Sequence, residues 1–297
     1  MPSPNNLRII SQNWADLATI TASSTGGSTS PDNLKSDTKS LVWRSTTGTQ
    51  ASLILDFGVT RNIGGVALAF TNLPSSSATI RVVGYNTAPS FTGSALNVTG
   101  AAYNSGLVTC CPWNNLALPS WGTNPAGSSN YSYGGGTHAR VWLSSANAAT
   151  AVRYLGIEIA DSTNTAGFIE VSRVIAGNFW SPTYNTGYGM QAGIKDLSEH
   201  VRTEGGDLLT RRGPRFRTLN FDLQWVTPSD RKELTRIFLG NGMPRPLFVS
   251  LFPDSTGVDE DFQREGIHQI YGKMVQVPGV SYTSFEVYST NIELEEV

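Results

Sequence analysis

Short apolar and β-branched runs separated by turn-forming residues recur along this chain, the pattern of strands on pleated, half-buried surfaces. Leu53 to Gly58, Ile63 to Phe70 and Ala78 to Tyr85 read as strands, divided by Thr60-Arg61-Asn62 and Pro74-Ser75-Ser76-Ser77. Small residues stand between the apolar ones in Ile63 to Phe70. Further strands are expected at Ala139–Leu143, Tyr154–Ile159 and Ile169–Ala176. Between them, Ser90 to Gly136 is rich in Gly, Asn, Ser and Pro yet carries Trp113, Trp121, Tyr131 and Tyr133. An ordered excursion with short strands of its own fits it better than a structureless loop of that length.

The pattern changes after Trp180-Ser181-Pro182. A Tyr/Gly-rich connection, Thr183 to Gly193, leads to a helix-like turn at Asp196–His200. From Phe216 to Trp225, polar Thr218, Asn220, Asp222 and Gln224 alternate with Leu219, Phe221, Leu223 and Trp225, which predicts a strand with one buried and one wet face. Thr227-Pro228-Ser229-Asp230 is a helix start: Thr caps, Pro suits the first helical position and Asp opposes the positive helix end. The helix should run near 228–239, with Leu234, Ile237 and Phe238 on one face and Gly240 as a left-handed stop. Strands return at Leu247–Phe252, Ile267–Val277 and Phe285–Leu294.

Charge sharpens the division. Residues 1–180 hold nine basic and seven acidic residues, whereas the shorter span 181–297 holds twelve and sixteen. Two units are therefore expected, 1–178 and 179–297, facing different neighbours. A formal net charge of −2 removes the broad basic field that nucleic-acid binding draws on. Met1 to Asn13 lacks the pattern of a secretory signal and no apolar run approaches a membrane span, so cytosolic synthesis is the expectation. Cys110 and Cys111 are adjacent, which forbids an ordinary bridge between distant segments and leaves inert thiols.

Catalytic signatures are missing: there is no nucleophile elbow, and the histidines are His138, His200 and His268. Gly187 to Gly193 misses the dinucleotide fingerprint, and Gly272-Lys273-Met274 lacks the hydroxyl of a phosphate loop. Asp254, Asp259, Glu260, Asp261 and Glu265 have neither calcium-loop spacing nor a flanking cleft, and read as a solvated segment. Neither enzyme, metal nor cofactor is expected. Two constellations remain. Arg202, Arg211, Arg212, Arg215 and Arg217 form a basic cluster answered by Glu293, Glu295 and Glu296, a pairing suited to neighbouring subunits of a ring, or else two solvated faces. Trp113, Trp121, Tyr131 and Tyr133 could stack on sugar rings, or anchor a loop or protein interface.

Asp32-Asn33-Leu34-Lys35-Ser36-Asp37, Leu41-Val42-Trp43-Arg44-Ser45, Leu53 to Gly58 and Arg153 to Ile159 resemble discoidin-like domains, which implies a jelly-roll β-sandwich over residues 5–178. Trp43 and Asp56 are then architectural, and many members of that family bind glycans or lipid headgroups. Arg215-Phe216-Arg217, Phe221 to Gln224, Thr227 to Asp230, Pro246 to Pro253 and His268 to Lys273 resemble the C-terminal part of distal tail proteins of long-tailed bacteriophages. That resemblance implies a β-rich belt domain with one short helix over residues 175–297. It also implies a homo-oligomeric ring at the virion tail tip, joining tail tube to tip or baseplate proteins after assembly in the host bacterial cytoplasm. The alternative is a tail protein that binds host-surface carbohydrate through its N-terminal module.

Overall fold

The computed structural model describes residues 6–73, 78–110, 137–253 and 268–297. The fold is mainly β, as expected. A five-stranded antiparallel sheet has the order β2 (Thr19–Ala22), β4 (Gln50–Arg61), β11 (Val152–Ala160), β6 (Thr79–Tyr85), β9 (Tyr103–Thr109). It faces a four-stranded sheet ordered β10 (Thr137–Trp142), β5 (Gly65–Thr71), β12 (Glu170–Gly177), β3 (Trp43–Arg44). Strand alternation builds the core between them: Leu53, Leu55 and Phe57 of β4 and Leu155, Ile157 and Ile159 of β11 meet Val66, Leu68, Val141 and Val174 of the other sheet. Trp43 is fully buried here, its indole N–H donating to the Ser24 carbonyl at 3.1 Å.

Both outer faces of this sandwich are partly covered. A two-stranded hairpin, β7 (Phe91–Thr92) and β8 (Ala95–Leu96), sets Leu96 against Ile54, Val83 and Tyr85. Gly156 makes room for it, because a Cβ there would overlap the Leu96 side chain. The excursion from Ser90 thus contains short strands in its described part. On the opposite side lies a seven-stranded sheet ordered β1 (Arg8–Ile10), β17 (Leu247–Ser250), β18 (Gln269–Met274), β20 (Val287–Glu296), β16 (Arg215–Val226), β13 (Gln191–Asp196), with β19 (Ser281–Ser284) also on β20. One face of it buries Leu219, Phe221, Leu223, Ile292 and Leu294 under Leu234, Ile237 and Phe238 of helix α2 (Pro228–Asn241). The other packs Phe248 and Tyr271 on Ala67, Ala69 and Ile175 of the sandwich. A second helix, α1 (Ser145–Ala149), is a single short segment between β10 and β11.

Three details depart from the sequence pattern. β1 comes from the first residues of the chain but is an edge strand of the second sheet, so the chain crosses between the units twice. In β16 the pairing with β20 shifts between Leu223 and Val226; the bulge turns Trp225 to solvent, 61% exposed, and buries Val226 in its place. The helix stop is Gly242 rather than Gly240: Gly242 has φ 52° and donates its N–H to the Phe238 carbonyl at 2.9 Å. Buried Asn241 holds the extra turn by donating to the Ser11 carbonyl at 2.9 Å.

The helix start is as expected. Thr227 Oγ1 accepts the Asp230 N–H at 3.2 Å and lies 2.8 Å from Asp230 Oδ2, which also accepts the Thr183 N–H at 3.1 Å. Replacing Thr227 with Ala should cost about 1 kcal/mol. Urea denaturation should show this as a lower midpoint with an unchanged slope.

Candidate functional site

Two places gather the polar and exposed groups that a function could use: the junction of the two units, and the far end of the second sheet. At the junction, β18 and β20 bring second-sheet side chains against the sandwich. Tyr271 donates its hydroxyl proton to Asp37 at 2.7 Å and accepts from Arg173 Nε at 2.9 Å, while Arg173 also pairs with Asp16 at 2.6 Å. Burial pushes the Tyr271 hydroxyl well above its ordinary value, against the opposing pull of Arg173.

Beside it, Glu296 is a buried anion with its side chain 3% exposed, 3.3 Å from Lys39 Nζ and 3.8 Å from Arg217 Nε, and it accepts the Arg217 backbone N–H at 3.2 Å. His138 approaches to 3.6 Å, beyond hydrogen-bond distance, and burial keeps it neutral by lowering its pKa. Burial alone would raise the Glu296 pKa. Contact with His138 and the charges of Arg217 and Lys39 outweigh it and hold the carboxyl at about 2. Phe70, at φ 55°, sits at the bulge opposite His138, its ring edge-on to the imidazole at 5.1 Å.

The far end is built differently. β13 closes the sheet with every residue exposed and, among the described residues, no further strand beyond it. After Leu197-Ser198 the chain forms a separate two-stranded arm, β14 (Glu199–Arg202) with β15 (Leu208–Arg211), again exposed throughout. Its tip is set by the Thr203 N–H donating to the Asp207 carbonyl at 2.9 Å, with Gly206 at φ 90°. Its base is tied by the Leu197 N–H to the Pro214 carbonyl at 3.1 Å and by the Gly213 N–H to Ser198 Oγ at 3.0 Å. Val201 opposes Leu209 across the arm, each more than half exposed. The sequence pattern at Asp196–His200 suggested a helix-like turn. The better signal was the turn-forming Gly205-Gly206-Asp207, which suits a hairpin.

The charged candidates fall into two groups. Arg202, Arg211 and Arg212 are exposed on or beside the arm; Arg202 donates to the Gly206 carbonyl at 3.0 Å and Arg211 lies 3.9 Å from Glu199. Arg215 pairs with Asp196 at 2.6 Å, Arg217 with Glu296, and Glu295 with Lys195 at 3.0 Å. Arg215 and Arg217 on β16 thus lie beside Glu293, Glu295 and Glu296 on β20 within one subunit, where Thr218 pairs with Glu295 and Asn220 with Glu293, while Arg202, Arg211 and Arg212 stand apart on or beside the arm. Trp113, Trp121, Tyr131 and Tyr133, Cys111 and the acidic segment from Asp254 to Glu265 lie outside the described residues. Cys110 is buried, and Asp56 is paired in bidentate fashion with Arg153 at 2.9 and 3.0 Å. Among the described residues no three His, Cys, Asp or Glu gather as metal ligands, and no helix is long and apolar enough to cross a membrane.

No protein-family profile and no curated protein matches the chain. Over a little more than half its length it is distantly similar to solved sugar-binding modules. The lectin domain of lectinolysin complexed with Lewis B antigen is 14% identical, with 56% of this chain and 95% of that one covered and a TM-score of 0.36. A chitosan-binding module from a Paenibacillus chitosanase/glucanase is 16% identical, covering 56% and 99%, TM-score 0.35. A Streptococcus pneumoniae fucose-binding module is 10% identical, covering 57% and 99%, TM-score 0.35.

The depressed Glu296 pKa fixes a pH dependence. The unfolded chain takes up a proton near 4.5 that the folded chain refuses until about 2, so this contribution to stability is complete above 4.5 and is lost as the pH falls from there toward 2. Glu296→Gln should flatten that acid limb. It should also cost about 3–5 kcal/mol at neutral pH, because Lys39 and Arg217 lose a buried counter-charge; melts of both proteins from pH 2 to 7 check it.

Proposed function

We propose that the chain is a structural subunit that assembles with copies of itself through the far end of its second sheet, as the ring of a phage tail tip that joins tail tube to tip or baseplate proteins. The observation that carries this is the arm β14–β15. An isolated two-stranded hairpin is marginal in water, and this one also exposes Val201, Leu208 and Leu209. The edge strand β13 next to it has no second strand partner among the described residues, and such an edge offers backbone groups that a neighbour can complete. The surface bias agrees: of nineteen exposed large hydrophobic residues among those described, fourteen lie from Tyr184 onward. Reading that assembly as a tail ring in the virion rests on the resemblance of residues 175–297 to distal tail proteins.

Burying the exposed part of Val201 and Leu209 against a neighbour contributes about 1–2 kcal/mol for each side chain. Light scattering over a concentration series should therefore find a multi-subunit mass for the native protein. The double variant Val201→Asp/Leu209→Asp should be monomeric with an unchanged far-ultraviolet circular dichroism spectrum. A native protein that stays monomeric at every concentration contradicts the reading.

A second reading, host-glycan binding by the first unit, has the support of its two-sheet architecture, the one that the discoidin-like resemblance implies; this is fold-level analogy. It makes Trp113, Trp121, Tyr131 and Tyr133 the stacking platform. Trp113→Ala/Trp121→Ala should then abolish binding of the full chain to host envelope polysaccharide in isothermal titration, and unchanged affinity removes those residues from the site.

A further inference from the structure

Four segments from both units line a cleft of about 450 Å³, away from the arm. They are the crossing Ser11-Gln12-Asn13-Trp14, the end of β4 with Arg61, the link Asn178-Phe179-Trp180, and the exposed side of α2 with Glu233 and Arg236. Its walls are fixed. Trp180 and Ile9 exchange both backbone hydrogen bonds at 2.9 Å, the Ser11 carbonyl is held by Asn241, and Phe179 packs edge-on against Trp142 at 5.6 Å. Arg61 sits over Trp14, its guanidinium carbon 3.9 Å from the ring centroid, and it has no acidic partner among the described residues. Glu233 is engaged by Arg236 at 3.0 Å, so Arg61 is the uncompensated charge of the cleft.

We propose that this cleft binds an acidic saccharide, taking a sugar carboxylate on Arg61. A guanidinium seated on an aromatic ring and without an acidic partner keeps its N–H fork for a planar carboxylate, which it can take in bidentate fashion. Trp180 offers aromatic surface to sugar C–H faces, and the exposed amides of Gln12 and Asn178 offer donors and acceptors to hydroxyls. A volume of this size, part aromatic and part polar, is that of a small-molecule site and holds a short oligosaccharide.

Titration of the full chain with a galacturonic-acid trisaccharide, with the same trisaccharide reduced to neutral galactose units, and with inorganic phosphate tests this. The acidic trisaccharide is expected to bind saturably and the neutral one at least tenfold more weakly. Arg61→Ala and Arg61→Lys should each lose about tenfold or more, the cost of a charge-assisted pair, with unchanged melting temperature; Gln12→Ala, an exposed change that leaves the fold untouched, should weaken binding less. Absence of binding, equal binding of the neutral sugar, phosphate binding as tightly as the saccharide, or affinity indifferent to Arg61 each overturns the proposal. Oligomer mass, measured on the same samples, reports separately on the assembly reading.

Discussion

The structure depends on one packing arrangement: the second sheet lies face-on against the four-stranded sheet of the sandwich. Ala67 and Ala69 present little more than backbone at that surface, so Phe248 and Tyr271 can settle onto it. That contact makes β5 buried along its entire length, one face toward the sandwich core and the other toward the second sheet. It also excludes water around Glu296 and Tyr271, which is why their charges and protons are controlled by Lys39, Arg217, Arg173 and Asp37 rather than by solvent. Arg8 adds to the seam by lying 5.1 Å from the Trp142 ring and 4.6 Å from the Phe179 ring.

A seam of this kind has a consequence for the rest of the second sheet. The helix covers one face and the sandwich the other only as far as β20 and the middle of β16; β13 and the arm extend past both. The unit is rigid where it joins the sandwich and unsatisfied where it leaves it. In the proposed assembly those two properties work together, since a firmly seated sheet presents its open edge and its arm to a neighbour in one orientation.

Much of this was legible in the sequence because one-sided burial writes an alternating pattern. Leu219, Phe221 and Leu223 announced β16, Thr227-Pro228 announced α2, and the small residues within Ile63 to Phe70 marked the strand that is covered on both sides. What was hidden follows from tertiary partners. β1 is too short to announce itself and exists because β17 and Trp180 flank it. Trp225 follows the alternation in sequence and leaves it in space because of a bulge. The arm has no core to pattern it, so only its Gly-Gly turn betrayed it, and the Arg and Glu groups acquired their partners from a register that composition does not encode.

Amide hydrogen exchange of the native protein at high and low concentration tests the central claim most directly. If β13 and the arm are the subunit contact, the amides of 191–196, 199–202 and 208–211 become protected as concentration rises, while those of β4 and β11 keep the same protection throughout. Exchange at β13 and the arm that stays fast at every concentration, in a sample that has assembled, would place the contact elsewhere and contradict the account.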